Sequence, residues 1–354
     1  MFEGTRADLA AHTTLRLGGP AARLVALRDR DEVVQSVREA GTGAPLLLLA
    51  GGSNVVIADE GFPGTVALLR TTGVEFGTGS GPDEVLVTVE AGQPWDDVVA
   101  LAVAEGLAGI ECLSGIPGSA GATPIQNVGA YGQEVAETIT SVRVYDRAED
   151  RTLDLAPADC QFGYRTSRFK HSERFIVLAV TFRLRRTTVA APARYAELAR
   201  TLDIPTGGRA SLAEVRAAVL VLRAGKGMVL DPTDPDTFSV GSFFMNPVLE
   251  AEAFATLLAR ARDNTGPEPT GWPGPDGTMK ISAAWLIEHA GFGKGHHGGH
   301  VGVSVSTKHT LALTNRGSGT TSELLALARE IVEGVEKAFG VRLQPEPVLI
   351  NCSL

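Results

Sequence analysis

The chain has 354 residues, with 32 Lys or Arg against 41 Asp or Glu, and carries a formal net charge of −9. This acidic balance argues against a general nucleic-acid binder, because phosphate binding needs a basic surface, and 44% apolar residues exclude a disordered chain. The length predicts two or three domains. Of the 41 glycines, seven lie in 106–132 and six in 291–302, and these clusters indicate loops whose backbone closely approaches another group.

The first half of the chain alternates between strand and helix patterns. The run 46–50 is almost continuously apolar, whereas 139–146 and 175–184 alternate apolar and polar residues as half-buried strands do. The predicted strands are 22–26, 46–50, 55–58, 85–90, 139–146 and 175–184, and the predicted helices are 31–40 and 95–104.

The composition changes after Arg185 and Arg186, which places a domain boundary near 186–192. In the second half, Ser211 is a predicted helix N-cap and Gly291 a predicted C-cap. The predicted helices are 195–202, 212–222, 251–262, 282–289 and 322–339, and Leu343 with 348–350 forms a predicted last strand.

The first segment that indicates chemistry is Gly51, Gly52, Ser53 and Asn54, directly after the strand 46–50. Such a turn points several backbone N–H groups into one concavity, which binds phosphate or pyrophosphate without formal charge. The chain then returns to a strand, so this is not the glycine motif that opens a helix in Rossmann domains. An ordinary glycine turn is the alternative.

The second segment, 106–134, is glycine-rich and polar with few charges. Its amides supply both donors and acceptors, and its glycines allow a flat ring to lie against the backbone. This composition suits a flavin, whose ring needs hydrogen bonds at its edges and apolar contact on its face, while a purely structural Ω-loop is the alternative. The predicted cofactor-binding residues here are Gly118, Ser119, Gln126, Asn127, Gly129, Ala130 and Tyr131.

The third segment, 160–171, concentrates positive charge in an acidic protein. It contains Tyr164, Arg165, Arg168, Lys170 and His171. A cationic cluster near two glycine-rich loops indicates an anionic substrate, and a solvated basic turn is the alternative.

Two further segments each present one polar residue in an apolar or rigid setting. Ser242 lies between Gly241 and two phenylalanines, where a serine is either a proton donor or a satisfied core hydroxyl. It is not in the nucleophile elbow of hydrolases. Glu346 lies between two prolines, before an apolar strand, where it serves as an acid or an orienting group, or as an exposed turn residue.

Histidines 296, 297 and 300 form the sequence HHGGH. Spacing across two glycines lacks the fixed helical face of known zinc motifs, so we expect a flexible loop and no metal.

The cellular compartment is inferred from weaker signals. Cys112, Cys160 and Cys352 are odd in number and lack paired spacing, which indicates free thiols in a reducing compartment. The longest apolar stretch, 44–50, is too short to cross a bilayer, and the N-terminal residues do not form a secretory signal. We therefore expect a cytoplasmic protein that does not insert into membranes, and we expect it to be a monomer.

Taken in this order, the segments AGGSNVV, GIPGSAGATPIQNVGAYG, FGYRTSRFK, GSFFMNP and KISAAWLIE resemble the UDP-N-acetylenolpyruvoylglucosamine reductase family over nearly the whole chain. The resemblance implies an α+β fold. A PCMH-type (vanillyl-alcohol-oxidase-type) FAD-binding domain of two subdomains, 1–187, is followed by an α+β substrate-binding domain, 188–354. It also implies noncovalent FAD, NADPH as co-substrate, and reduction of UDP-N-acetylglucosamine enolpyruvate to UDP-N-acetylmuramate for peptidoglycan.

The resemblance also implies catalytic roles. Ser242 matches the family's general acid, and Arg165 and Glu346 match the pair that stabilises an enolate intermediate. A permanent positive charge placed where negative charge develops lowers the barrier by several kcal/mol.

Substrate contacts are implied in the same way. Tyr195 matches a tyrosine that closes over the UDP in the type I branch, and Lys226 matches a lysine that contacts substrate phosphate. Two departures are Met245, where relatives often have a polar or basic residue, and His309, where many have glutamine. The implied substrate-binding residues are Tyr164, Tyr195, Lys226, Asn246 and His309.

Two other functions compete with this one. One is an FAD oxidase of the same domain class that uses oxygen and another substrate. The other is a catalytically inactive nucleotide-binding protein. Both must explain why Ser242, Arg165 and Glu346 recur in matching contexts.

Overall fold

A computed structural model of the chain describes residues 5–41, 45–264 and 268–354, which form seven α-helices and nineteen strands. The helices are α1 (Arg30–Ala40), α2 (Trp95–Ala104), α3 (Ala196–Thr201), α4 (Leu212–Gly225), α5 (Ala251–Asn264), α6 (Ala283–His289) and α7 (Thr321–Phe339). The strands are β1 (Thr5–Asp8), β2 (Pro20–Leu27), β3 (Leu46–Leu49), β4 (Val55–Ile57), β5 (Phe62–Leu69), β6 (Val74–Thr78), β7 (Glu84–Glu90), β8 (Leu107–Ala108), β9 (Gly129–Ala130), β10 (Gln133–Glu134), β11 (Ile139–Asp146), β12 (Arg151–Leu155), β13 (Phe175–Arg186), β14 (Val248–Leu249), β15 (Gly271–Pro273), β16 (Met279–Ile281), β17 (Val303–Val305), β18 (Leu313–Asn315) and β19 (Val348–Ile350).

The chain divides into two compact units, each assembled from separate segments. The first unit contains Met1–Ala7, Ala21–Gly51 and Pro63–Val229, and the second contains Asp8–Pro20, Gly52–Phe62 and Leu230–Leu354. The position 187/188, predicted above as a domain boundary, lies inside the first unit. The division into domains 1–187 and 188–354 stays a prediction.

One sheet of the first unit has the strand order β1-β2-β5-β3, and β3 pairs with β5 in parallel. Helix α1 begins at its N-cap Asp29, whose carboxylate accepts a hydrogen bond from the backbone of the first turn. Its residues Val33 and Val37 pack with Val25 and Leu27 of β2 into a small core. The helix predicted at 31–40 is confirmed.

The larger sheet of the first unit is antiparallel, with the order β12-β11-β13-β7-β6, and β8 pairs with the end of β13. Val85, Val87 and Val89 of β7 alternate into the core, as a strand with one buried face requires. There Trp95, the first residue of α2, packs on Phe182 of β13 with ring centroids 5.4 Å apart. This packing fixes the β7–α2 junction, against which the glycine-rich segment folds.

Helices α3 and α4 form a satellite of the first unit around a separate apolar cluster that includes Leu198 and Val219. Ser211 and Glu214 form a reciprocal capping box at the start of α4. The predicted N-cap at Ser211 is therefore confirmed.

The second unit is organised around α7, the longest helix in the described residues. Thr320 caps its start, and Gly340, with φ of 73°, ends it in the left-handed conformation that favours glycine. Phe339 and the apolar stripe of α7 pack with α5, α6 and the hairpin of β17 and β18. A three-stranded sheet of order β14-β16-β15 and the parallel pair of β4 with β19 complete the unit.

The helix predictions agree with the structure to within a few residues, and 95–104 agrees at both ends. The short strands between 62 and 78, and those of the hairpin at 303–315, were not predicted, because runs of three to eight residues carry weak periodicity. Leu343 was wrongly placed in a strand, since it lies in an irregular segment before β19. Within the described residues, no helix combines the length and the apolar composition that a bilayer crossing requires.

Candidate active site

The two glycine-rich loops of the first unit meet backbone to backbone. A Cβ atom added to Gly51 would lie 2.5 Å from the Cα of Gly118, closer than any real side chain allows. The contact between these two residues, which are 67 positions apart in the sequence, therefore depends on the absence of a side chain at Gly51. The contact brings the predicted phosphate-binding turn, which begins at Gly51, against the loop predicted to hold a flavin.

The loop around Gly118 is fastened to the β7–α2 junction by backbone hydrogen bonds. The Trp95 N–H donates to the Gly118 carbonyl at 3.0 Å, and the Gly121 N–H donates to the Ala91 carbonyl at 2.9 Å. The Ser119 hydroxyl is buried, 4% exposed, with no hydrogen-bond partner among the described residues. A buried polar group left unpaired costs about 1–3 kcal/mol, so a ligand acceptor at this hydroxyl would stabilise the loop.

Three of the predicted cofactor-binding and catalytic residues that are not glycine have left-handed backbone. The φ angles are 46° at Asn127, 49° at Tyr131 and 52° at Arg165. This conformation costs roughly 1–2 kcal/mol for a residue with a Cβ atom, and such residues concentrate at binding and catalytic sites. The strain here coincides with three residues singled out from the sequence.

The Asn127 side chain is engaged by the protein itself. Its amide nitrogen donates to Glu134 Oε2 at 2.7 Å and to the Gly163 carbonyl at 3.1 Å, and its oxygen accepts from the Ala136 N–H at 3.2 Å. These bonds tie together the two loops 126–136 and 163–166. The prediction that Asn127 contacts the cofactor stays a prediction, and its side chain has at least this structural role.

The Arg165 guanidinium is clamped by two backbone carbonyls. Nη1 donates to the Asn127 carbonyl at 3.2 Å, and Nη2 donates to the Gly129 carbonyl at 2.8 Å. A Cβ atom on Gly129 would lie 3.2 Å from Nη1, so the small residue leaves room for the guanidinium. The Arg165 carbonyl in turn accepts from Lys170 Nζ at 3.0 Å, which holds the left-handed backbone in place.

The other residues of the predicted cationic cluster have separate surroundings. The Arg168 guanidinium lies 4.5 Å from the centre of the Phe175 ring and donates to the Asp159 carbonyl. Tyr164 lies beside Arg165, whose Cζ is 5.4 Å from the phenol ring. His171 is exposed. Lys170 is therefore the member of the cluster that bonds to Arg165, whereas Arg168 contacts Phe175 and Asp159.

A second cluster in the first unit joins α3, α4 and the glycine-rich loop. The rings of Tyr131 and Tyr195 meet edge to face at 5.6 Å. Lys226 Nζ lies 5.8 Å from the centre of the Tyr131 ring and donates to Glu197 Oε2 at 2.6 Å. Burial raises the pKa of the Tyr131 phenol to about 12, so this tyrosine is neutral at physiological pH.

Arg223 lies in the same region and is buried, 8% exposed, with Nη2 donating to the Met228 carbonyl at 2.9 Å. Its Nε has no hydrogen-bond partner among the described residues. Burial lowers the pKa of Arg223 to about 10, which still leaves it charged at neutral pH.

In the second unit the backbone of Phe243 joins two candidate segments. The Phe243 N–H donates to the Leu311 carbonyl at 2.7 Å, and its carbonyl accepts from the Glu346 N–H at 2.9 Å. Ser242, the preceding residue, is half-buried. Gly241 has φ of 74° with open space around its Cβ position, so the conformation rather than crowding favours glycine before Ser242.

Glu346 is also positioned from the other side. Strand β19 pairs in parallel with β4, and the Val348 N–H donates to the Asn54 carbonyl at 3.0 Å. The Asn54 amide approaches the Glu346 carbonyl at 3.5 Å. Asn54, the last residue of the first glycine-rich segment, therefore supports Glu346, a relation that the sequence did not indicate.

Two predicted substrate-binding residues lie near the same segments of the second unit. Asn246 Oδ1 accepts from the Ala283 N–H at 2.9 Å and so anchors the start of α6. His309 is half-buried in the turn between β17 and β18, where its N–H donates to Ser306 Oγ. Leu311, which bonds to Phe243, belongs to this turn.

The HHGGH segment is tied to α7. His296 Nε2 lies 3.1 Å from Glu330 Oε1, and the His296 ring meets Phe292 edge to face. Among the residues the structure describes, no group of three or more His, Cys, Asp or Glu could hold a metal ion.

The structure gathers the predicted residues into groups within each unit. In the first unit, Gly51 meets the Gly118–Gly121 loop, Asn127 and Gly129 hold Arg165, and Tyr131 contacts Tyr195 and Lys226. In the second unit, the segments of Ser242, His309 and Glu346 adjoin. Sequence reasoning missed Glu197, which lies two residues after the predicted substrate-binding Tyr195 but 29 positions before Lys226, so that only the structure shows the pair.

The first unit matches the chemistry of a dinucleotide cofactor. It offers backbone N–H groups, a contact that only glycine permits, and the buried Ser119 hydroxyl, which has no hydrogen-bond partner in the part of the chain that the structure describes. In comparisons with known proteins, the family model described as "FAD binding domain" matches residues 21–156. The chain is therefore an FAD-binding protein with an α+β fold, as predicted.

A second family model, "UDP-N-acetylenolpyruvoylglucosamine reductase, C-terminal domain", matches residues 232–350. The chain is 60% identical to the UDP-N-acetylenolpyruvoylglucosamine reductase of Salinispora arenicola, over 98% of this chain and 95% of the relative. It is 55% identical to that of Thermobifida fusca, over 98% and 97%. The chain belongs to the UDP-N-acetylenolpyruvoylglucosamine reductase family.

A solved structure agrees with this assignment. The crystal structure of the reductase from Thermus caldophilus is similar with a TM-score of 0.66 and 25% identity, over 99% of this chain and 100% of that one. The family predicted from the five motifs is confirmed.

Proposed function

We propose that this chain uses NADPH and FAD to reduce the enolpyruvyl ether of UDP-N-acetylglucosamine to UDP-N-acetylmuramate, a precursor of peptidoglycan. The observation that carries the proposal is the clamp on Arg165, in which the Asn127 and Gly129 carbonyls fix the guanidinium of the matching family motif. A rigid cation is what a reaction with a developing anion requires.

When bound, FAD supplies hydride transfer from NADPH to the substrate. The residues proposed to hold it are Gly51, Gly52, Ser53, Asn54, Gly118, Ser119, Gln126, Asn127, Gly129, Ala130 and Tyr131. The Gly51–Gly118 contact and the unpaired Ser119 hydroxyl support this assignment.

We propose that the cofactor is noncovalent. Cys112 is the nucleophile close to the flavin loop, and burial raises the pKa of its thiol to about 12. A thiol that stays protonated is a poor nucleophile. Acid precipitation of the holoenzyme is expected to release the yellow colour into the supernatant, whereas colour in the pellet would contradict the assignment.

Arg165 is proposed to stabilise the negative charge that develops on the substrate carboxylate as an enolate forms. Its charge is permanent and its fork donates in a fixed plane. Because the guanidinium is already ordered by two carbonyls, it needs little reorganisation when charge appears, which favours the transition state over the ground state.

Ser242 is proposed to donate a proton to the enolate carbon, and Glu346 to assist Arg165. A serine hydroxyl is a weak acid, but an enolate is a strong base, so this transfer is feasible. Phe243 fixes both segments through its N–H and its carbonyl. The proposed positions of Ser242 and Glu346 thus depend on one shared residue.

The proposed substrate contacts are Tyr164, Tyr195, Lys226, Asn246 and His309. The exposed ring of Tyr195 and the ammonium of Lys226 suit a nucleotide diphosphate, which combines a planar base with negative charge. Since NADPH is an intracellular reductant, we propose that the enzyme works in the cytoplasm, and that a single chain is the active unit.

The test is NADPH oxidation, followed by absorbance, with and without UDP-N-acetylglucosamine enolpyruvate. Oxidation that requires this substrate and consumes no oxygen is the expected result. NADPH oxidation with oxygen consumption in the absence of substrate would indicate an oxidase. No oxidation under either condition, in protein that holds FAD, would indicate an inactive nucleotide-binding protein.

A further inference from the structure

The ammonium of Lys226, the proposed phosphate ligand, is already paired in this structure. Lys226 caps the end of α4, and its Nζ donates to Oε2 of Glu197, in the first turn of α3, at 2.6 Å. The side chains are 28% and 32% exposed, so solvent and solutes reach both partners. The contact joins two helices at a solvent-accessible position.

Stability does not account for this ion pair. Helix α3 is held by Leu198 and Ala199, which are almost completely buried in the apolar cluster with α4. A solvent-accessible Lys–Glu pair contributes only about 0–1 kcal/mol to folding. Helix α3 therefore does not need Glu197 to hold its position, and the carboxylate is available for a role in ligand binding.

The surroundings of the pair favour an anionic ligand with a planar group. Lys226 lies over the Tyr131 ring, Tyr131 meets Tyr195, and the charge of Arg223 also acts on Tyr131. Two cations thus act at this aromatic pair, with Glu197 as the carboxylate that neutralises one of them. Arg223 adds a buried Nε without a hydrogen-bond partner among the described residues.

We propose that Glu197 is a displaceable counter-ion. Its carboxylate pairs with the Lys226 ammonium in the ligand-free enzyme, and the phosphate groups of the substrate replace it there. The inference rests on the proposed function, in which Lys226 binds the diphosphate of a UDP-sugar. Glu197 is thus a specificity-determining residue.

The pair discriminates between ligands by charge. A ligand with one carboxylate offers Lys226 nothing that Glu197 does not already provide, whereas a diphosphate carries more charge and more acceptor oxygens. Removing the Glu197 charge should therefore tighten the binding of every anion at Lys226. The gain should shrink at high salt, because exposed charges are screened.

The experiment measures UDP binding to FAD-loaded enzyme by calorimetry, for wild type, Glu197→Gln, Lys226→Met and the double variant. Glutamine keeps the shape of Glu197 and removes its charge. Glu336→Gln is the matched control, because Glu336 forms a similar 2.6 Å pair with Arg342 on the surface of the second unit. Thermal melting of each variant checks that the fold is intact.

We expect Glu197→Gln to bind UDP about three- to tenfold more tightly than wild type. This gain should be absent in the Lys226→Met background and in Glu336→Gln. Unchanged or weaker UDP binding by folded Glu197→Gln would overturn the inference. Weaker binding would show in addition that Glu197 orients Lys226.

Failure of the proposed function gives a different pattern. In that case wild type neither binds UDP nor oxidises NADPH with the UDP-linked substrate, and the counter-ion role fails with it. If wild type does both and Glu197→Gln binds UDP no better, only the counter-ion role is wrong.

Discussion

Arg165 and Ser242 are positioned by opposite means. The Arg165 side chain is held directly, by two carbonyls at its guanidinium and by Lys170 at its own carbonyl, on left-handed backbone. Ser242 and Glu346 are placed indirectly, through the backbone hydrogen bonds of Phe243. The region around Arg165 fixes the side chain itself, whereas the region around Ser242 fixes the backbone next to the reactive residue.

The difference follows from the chemistry of the groups. A partly buried guanidinium carries five donors and a charge, so it needs acceptors built around it. A hydroxyl has one donor and few rotamers, so placing its backbone is enough. Substitutions at Arg165 should therefore be sensitive to side-chain geometry, whereas those at Ser242 should remove chemistry and leave the structure intact.

The largest expected effect is that of Ser242→Ala. Phe243 still forms both hydrogen bonds, so the variant should fold and NADPH should still bleach the flavin at nearly the wild-type rate. Reoxidation by the enolpyruvyl substrate should slow by about 10²–10⁴-fold, the usual contribution of a general acid. Stopped-flow absorbance measures both half-reactions, with the exposed Ser318→Ala as control. Normal reoxidation would remove Ser242 from the proposed mechanism.

Arg165→Lys tests whether the clamp matters beyond its charge. Lysine keeps the charge but cannot donate to the Asn127 and Gly129 carbonyls in one plane. We expect kcat/KM to fall by about 10²-fold, comparable to the loss of one preorganised donor at a developing anion. Steady-state kinetics are the measurement, and the exposed Arg262→Lys is the control. Wild-type kcat/KM in Arg165→Lys would mean that charge alone suffices.

Gly51→Ala tests the backbone contact between the two loops. The added methyl group would meet Gly118 at 2.5 Å, and we expect the free energy of unfolding to fall by about 1–3 kcal/mol, as overpacking does, with loss of bound FAD. Gly225→Ala, where the added atom meets nothing within 4 Å at the end of α4, is the control. Chemical denaturation and flavin absorbance measure the two effects. Normal FAD content in Gly51→Ala would show that the loops can move apart.

The smallest expected effect concerns Asp96, which holds the glycine-rich segment 106–134 at Gly115. Its Oδ1 accepts from the Gly115 N–H at 2.6 Å, and its carboxylate pairs with both Nη atoms of Arg216. Burial favours a higher pKa for Asp96, but these hydrogen bonds outweigh it, so the net pKa lies below its ordinary value. A lowered pKa stabilises the folded state above the unfolded pKa of about 3.9, and this contribution is lost as pH falls through the folded value.

We therefore expect Asp96→Asn to cost about 1 kcal/mol near pH 7, a small value because the group is partly exposed. The difference from wild type should shrink as pH falls below about 4. Urea unfolding at several pH values measures it, and the neighbouring exposed Asp97→Asn is the control. A difference that stays constant with pH would mean that the charge of Asp96 is not involved.

Long periodic segments were predictable from the sequence, whereas several short strands, and the pairing of the short strands that were predicted, were not. Residues 322–339 carry an apolar stripe and end before a glycine, and helix α7 spans nearly the same range. The pairing of β4 with β19 joins residues almost 300 positions apart, and nothing in either three-residue strand specifies its partner.

The site was predicted as segments rather than as contacts. The motif around Arg165 predicted a cation for an anionic substrate, but not that the Asn127 and Gly129 carbonyls would hold it. The cationic cluster was predicted as a unit, whereas the Arg168 guanidinium stacks on the Phe175 ring and donates to the Asp159 carbonyl. The catalytic and binding roles of individual residues stay predictions.

By itself, the sequence determined the family, the FAD-binding class and the residues most worth testing, because five motifs in a fixed order are far more specific than any single one. Only the tertiary structure decided that Gly51 contacts Gly118, that the Phe243 backbone positions Ser242 and Glu346, and that Glu197 pairs with Lys226. The reason is physical: a motif records which side chains are required, whereas contacts between distant segments depend on how the whole chain packs.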